Sequence, residues 1–192
     1  SDVCSSDLSI IAGGAPNPGC AGGFVGKATI ESSLTNVTLC SDLIYQNVPL
    51  SMSTQGAGLL FRAPSGDDGI LHLGYNITTK GGAVAVDHLS TLIQSNVSID
   101  TTNGGFYTPG ASIVFGSIDS DAGAHFLTLN AGTAGNIVMA DVGKSGALSG
   151  ISLLGNGKAA IQSIFTESGP ITIENPANIA QSAVFNTVGG GT

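Results

Sequence analysis

Leu127-Thr128-Leu129-Asn130-Ala131-Gly132-Thr133-Ala134-Gly135-Asn136-Ile137-Val138-Met139 carries the plan of the whole chain in one short stretch. Leu-Thr-Leu and Ile-Val-Met each put two apolar side chains on one side of an extended segment and a third residue on the other, the two-residue period of a strand. Asn, Gly, Thr and Ala between them turn the chain. The unit returns at Val84-Ala85-Val86, Val97-Ser98-Ile99, Ile113-Val114-Phe115, Ile151-Ser152-Leu153 and Ile171-Thr172-Ile173. Nothing between these copies has helical period. Short strands at regular spacing without helices predict a parallel β-solenoid, in which each coil covers the core of the next and none is stable alone.

Spacing sets the coil length. Leu127-x-Leu129 and Ile151-x-Leu153 lie 24 apart, Ile151-x-Leu153 and Ile171-x-Ile173 lie 20 apart, and Ile99-Asp100 and Ile118-Asp119 lie 19 apart. Thr78-Thr79-Lys80-Gly81-Gly82 and Thr101-Thr102-Asn103-Gly104-Gly105 share Thr-Thr-x-Gly-Gly at an offset of 23. The expected fold is all-β, a right-handed parallel β-helix with coils of about 19 to 24 residues, its hand following the rule for parallel crossovers. Roughly eight such coils at ~4.8 Å per stacked strand make a rod about 40 Å long. Strict strand register then buries Val84, Val86, Val97, Ile99, Ile113, Phe115, Leu127, Leu129, Ile151, Leu153, Ile171 and Ile173, and turns Ala85, Ser98, Thr128, Ser152 and Thr172 outward.

Three regions follow. Residues 1–8, Ser-Asp-Val-Cys-Ser-Ser-Asp-Leu, translate in one frame the nucleotide string TCAGACGTGTGCTCTTCCGATCT, which looks like the end of a common sequencing adapter, and are set aside from fold reasoning. Residues 9–76 are read as a less regular β-rich solenoid or cap, because Val37-Thr38-Leu39, Leu50-Ser51-Met52, Leu59-Leu60-Phe61 and Leu71-His72-Leu73 keep the pattern less cleanly. Residues 77–192 are read as β-helix repeats, cut off in mid-coil at Gly189-Gly190-Gly191-Thr192.

Composition narrows the partners. With 29 Gly, no Trp, 5% aromatic and 42% hydrophobic residues, the apolar content is mostly Ala, Val, Ile and Leu, which fit a narrow interior. Thirteen acidic against five basic residues give a net charge of −8, which argues against nucleic acid and anionic membranes, since both need clustered Lys and Arg. No apolar run approaches the ~20 residues of a membrane span.

Asn76-Ile77-Thr78-Thr79-Lys80-Gly81-Gly82-Ala83-Val84, Asn96-Val97-Ser98-Ile99-Asp100-Thr101 and the stretch from Leu127 to Ile137 together resemble the β-helical repeats of bacterial filamentous-haemagglutinin-like surface adhesins. The likeness covers about residues 76 to 188. It implies a rod segment of a large extracellular or cell-surface protein that mediates adhesion to a receptor or glycan, exported through an outer-membrane partner or its own C-terminal barrel. No catalysis and no cofactor are implied for this stretch.

Two rival classes stand beside it. A carbohydrate-active β-helix enzyme needs an acid and a base or nucleophile at a fixed separation, whereas here the acids are scattered about one per coil and Arg62 is the only arginine. A grouping of Asp100, Asp119 and Lys80 in one groove would favour that class. A phage tail fibre would share the rod and its polar corners.

Local chemistry is sparse. His72, His88 and His125 stand far apart, with no His-x-x-x-His, and read as surface or corner residues. Asp119-Ser120-Asp121-Ala122-Gly123 has the first half of a calcium-loop rhythm without the later ligands, so Asp119 and Asp121 are weak metal candidates beside the simpler role of corner residues. Asn36, Asn76 and Asn96 each open an Asn-x-Ser/Thr sequon and equally suit solenoid corners. With Cys4 left out, Cys20 and Cys40 lie 20 residues apart, about one coil. Stacking at ~4.8 Å would bring their Cα atoms inside the ~4.4–6.8 Å window of a disulfide, which an oxidising compartment would let form.

Overall fold

The computed structural model describes residues 36–40, 43–46, 49–63, 68–174 and 177–187. Alternating apolar residues put each short segment into a strand, and Gly- and Asn-rich corners turn it into the next face. β1 (Asn36–Cys40), β2 (Leu43–Gln46) and β3 (Leu50–Met52) form one coil; β4 (Gly58–Arg62), β5 (Gly69–Leu73) and β6 (Ile77–Thr79) form the second. β7 (Val84–Asp87), β8 (Leu89–Ile93) and β9 (Val97–Asp100) make the third, and β10 (Ile113–Val114), β11 (Ile118–Ser120) and β12 (Phe126–Asn130) the fourth. In the next two coils a longer strand spans two faces: β13 (Ile137–Val142) is followed by β14 (Gly150–Leu154), and β15 (Ala159–Thr166) by β16 (Ile171–Ile173). β17 (Ala177–Thr187) lies over β15.

Every strand pairing is parallel, and no helix occurs among the described residues. About six turns of a parallel β-solenoid result, roughly 30 Å of stacked strands at ~4.8 Å each. One face runs β1-β4-β7-β10-β13, and a second runs β2-β5-β8-β11 and joins it through β13. The third face, β3-β6-β9-β12-β14-β16, is a separate six-stranded sheet.

Stacking in register builds the core as vertical columns. On the third face Leu50, Ile77, Ile99, Leu129 and Leu153 lie one above another, each at most 3% exposed. On the first face Leu59, Val84, Ile113, Ile137 and Ala159 do the same. The predicted inward set is buried from Val84 to Leu153; Ile171 and Ile173 are partly buried against the same core. Ala85, Ser98, Thr128 and Ser152 are half-buried and Thr172 is exposed, so the two faces of each strand are as the alternation requires.

Two of the four predicted offsets hold and two are corrected. Leu127 registers with Ile151, and Ile151 with Ile171, as the offsets of 24 and 20 predict. Ile99 and Ile118 do not stack: Ile99 belongs to the third face, and Ile118 registers with Thr91 on the second, 27 residues earlier. The Thr-Thr-x-Gly-Gly copies are also out of step by one, because Ile77 pairs with Ile99 and Thr78 with Asp100, an offset of 22. Between the third and fourth coils the offset widens to 29, from Val84 to Ile113, because residues 101–112 form an enlarged corner loop whose two ends stay bonded to the neighbouring coils, Thr101 to Gly81 and Asn130 and Thr108 to Thr133, while its middle projects.

That loop is clipped at its base. The Thr101 hydroxyl accepts the Ala111 N–H (2.8 Å) and faces the carbonyls of Ala111 and Asn130. Asp100 accepts the N–H groups of Thr102 (2.8 Å) and Gly104 (2.7 Å) and the Thr102 hydroxyl (2.6 Å). Phe106 stands at the tip, 89% exposed.

Candidate functional site

Corners expose one backbone amide after another, and this chain covers them with side-chain oxygens from the coil below. Asn76 Oδ1 accepts the Ser98 N–H and Asn96 Oδ1 the Phe126 N–H, both at 2.8 Å. Asn136 Oδ1 accepts the Lys158 N–H at 2.9 Å, and Gln46 Oε1 those of Gly74 (3.1 Å) and Tyr75 (2.8 Å). Each bond ties one coil to the next and satisfies a donor that would otherwise rely on water. Asn76 and Asn96 therefore work as corner residues through their carbonyl oxygens; the Asn36 side chain lies outside the described set.

At the corner between the second and third faces this capping leaves a cleft of about 440 Å³. Three successive coils supply its wall: Tyr45 and Gln46 from the first, Tyr75 and Asn76 from the second, Gln94 and Asn96 from the third. The Tyr45 ring stacks on His72 with centroids 4.4 Å apart and planes 14° from parallel, while Tyr75 is 47% exposed. Among the described residues no carboxylate, lysine or arginine lines the cleft. Burial pushes the His72 imidazole below its ordinary pKa, favouring the neutral ring, and its Nδ1 is buried without a partner among the described residues.

The histidines are not gathered. His72 lies under Tyr45, His88 approaches the Asp87 carboxylate at 3.5 Å, and His125 Nε2 meets Asp121 Oδ1 at 2.8 Å. Asp121 also accepts the Gly123 N–H within its own turn (2.9 Å). Asp119 instead reaches the next coil, accepting the N–H groups of Ser145 (2.8 Å) and Gly146 (3.1 Å). The two weak metal candidates thus serve separate turns, and no group of three or more potential metal ligands occurs among the described residues. Cys20 lies outside the described residues, and with it the Cys20–Cys40 pair.

Among the residues that would matter to an enzyme, Asp100 closes its own loop, Lys80 pairs through its backbone with Thr102 of that loop, and Asp119 sits at a different corner. Arg62 pairs with Asp87 of the coil above at 3.3 Å. One carboxylate neighbourhood escaped the linear reading. Asp141 binds Lys144 Nζ (2.8 Å) and accepts from the Ser163 hydroxyl, beside the turn whose amides Asp119 caps. The Lys144 hydrogen bond, then that of Ser163, holds the Asp141 carboxyl below the usual aspartate range. Its only signal in sequence is the local Asp-x-x-Lys spacing, which any solvated turn shares.

The corner cleft has no signal of that kind, since its parts lie on three coils and each is ordinary in its own segment. No protein-family model, curated protein or solved structure matches this chain at a significant level.

Proposed function

We propose that this chain is a rod segment of a large extracellular bacterial adhesin-like protein, resembling filamentous haemagglutinin, that mediates surface adhesion. The observation that carries the reading is the coil-to-coil economy of the polar groups. Corner amides, and carboxylates such as Asp100 and Asp119, are spent on holding turns and neighbouring coils. A chain built this way extends by repetition and presents a long lateral surface, which is what a rod held out from a cell requires. In this reading the stretch has no catalytic role, and its partner is a cell-surface receptor or glycan.

Latex beads coated with the purified chain test it. Beads should adhere to cultured epithelial cells or to bacterial surfaces well above beads coated with an unrelated acidic protein; adhesion no better than that control would overturn the reading. The enzymatic alternative has one observation in its favour, Asp119 and Asp141 beside one turn with Lys144. Its test is polysaccharide cleavage that disappears in Asp141→Asn.

A further inference from the structure

We infer that the cleft at the corner between the second and third faces is a binding site for a neutral oligosaccharide. The inference rests on the adhesion reading for its setting and on the cleft for its chemistry. At about 440 Å³ the cleft falls in the size range of small-ligand sites, ~300–1,000 Å³.

Its amides are oriented before any ligand arrives. Asn76 and Asn96 each commit the carbonyl oxygen to a backbone N–H of the coil above, so each NH₂ group is left as the free end of a fixed amide. Neither NH₂ has an acceptor among the described residues. Fixed donors of this kind suit hydroxyl oxygens, and the neighbouring Gln94 amide can both donate and accept. Sugar hydroxyls need both.

Aromatic surface supplies the other half of saccharide recognition. A pyranose ring has C–H-rich faces that pack on aromatic rings, and Tyr combines such a face with a hydroxyl at its edge. Tyr75 offers a half-exposed ring, and Tyr45, stacked on His72 through one ring face, is held in place at the cleft wall. The stacked Tyr45 ring and the fixed amides of Asn76 and Asn96 lose little side-chain freedom on binding, which favours a weakly interacting ligand.

Charge selects within the sugars. Among the described residues the lining holds no Lys or Arg to receive a carboxylate, sulfate or phosphate, and the chain carries a net charge of −8. Sialylated, uronate and sulfated glycans are repelled by that field, whereas neutral ones are indifferent to it. In the second and third coils the strands flanking the cleft have ladder partners on both sides, which disfavours peptide addition there, although β2 and β3 of the first coil end their sheets among the described residues.

The test is a glycan array probed with the whole chain, followed by titration. The array carries neutral host-type galactose and N-acetylglucosamine glycans, neutral bacterial glucans, and acidic counterparts of both. Binding should fall on the neutral members, and which neutral set binds tells a host source from a bacterial one. Tyr75→Ala should weaken binding at least tenfold. Asn96→Asp, which keeps an oxygen for the Phe126 N–H and removes the donor, should do the same at unchanged melting temperature. Absence of neutral binding at millimolar sugar, a preference for acidic glycans, or full affinity in Tyr75→Ala would each overturn the inference. Bead adhesion that survives both Tyr75→Ala and competing sugar sinks the cleft and leaves the adhesion reading standing; sugar binding without bead adhesion does the reverse.

Discussion

At the scale of single residues the columns of the core set the rules. The second-face column runs Leu71, Thr91, Ile118, Val142 and Ile164, and Thr91 alone in it carries a hydroxyl. That hydroxyl is buried with no hydrogen-bond partner among the described residues. An unpaired buried polar atom costs about 1–3 kcal/mol, so Thr91→Val, which keeps the shape and removes the hydroxyl, should raise stability by about 1 kcal/mol. Leu129→Asp is the opposite case. Leu129 has no exposure and lies between Ile99 and Leu153, so its replacement leaves a charge without a counter-ion and should cost several kcal/mol, about 3–5. Urea denaturation followed by circular dichroism measures both; a neutral Leu129→Asp would contradict the assignment of the inward face.

At the scale of elements, one motif used twice shows how far local sequence reaches. In Thr-Thr-x-Gly-Gly at 78–82, a Cβ on Gly82 would stand 1.7 Å from the Ala57 carbonyl oxygen, so glycine is required for one coil to sit on the next. In the copy at 101–105, Gly104 and Gly105 have positive φ values of 68° and 87° at the start of the projecting loop, and Gly105 meets nothing within 4 Å. The first glycines, Gly81 and Gly104, share a positive φ of 74° and 68°, but the second ones differ in role, so like letters need not stack: the spacing of 23 misleads by one residue and the widened third coil is illegible in the sequence. Strands and their inward faces were legible because alternation is local. The corner cleft was not, because Tyr45, Tyr75 and Asn96 meet only after three coils have stacked. The loop supports a prediction of its own. Thr101→Val should leave the Ala111 N–H unpaired and loosen the base, so chymotrypsin should cut at Phe106 or Tyr107 several-fold faster than in the parent chain. Phe106→Ser, at the exposed tip, should shift global stability by no more than about 0.5 kcal/mol. Equal cleavage rates in Thr101→Val and the parent would show that the clip does not hold the loop.

At the scale of the whole molecule the hydrogen bonds between coils all point along the rod, since the strands lie across it and pair with parallel neighbours above and below. Tension applied between the two ends therefore acts on one coil at a time, at whichever end is weaker, instead of shearing all the ladders together. Each coil set free trades about 5 Å of rod for a length of chain: an offset such as the 22 residues from Ile137 to Ala159 or the 29 from Val84 to Ile113 extends to about 75–100 Å at ~3.4 Å per residue. Single-molecule pulling should give a saw-tooth of such steps, the longest from the coil that includes the 101–112 loop; one rupture releasing the whole length would contradict sequential peeling. A tether of this design lengthens many-fold before it parts and turns a sudden tug, such as flowing liquid gives an attached cell, into work spent on unwinding.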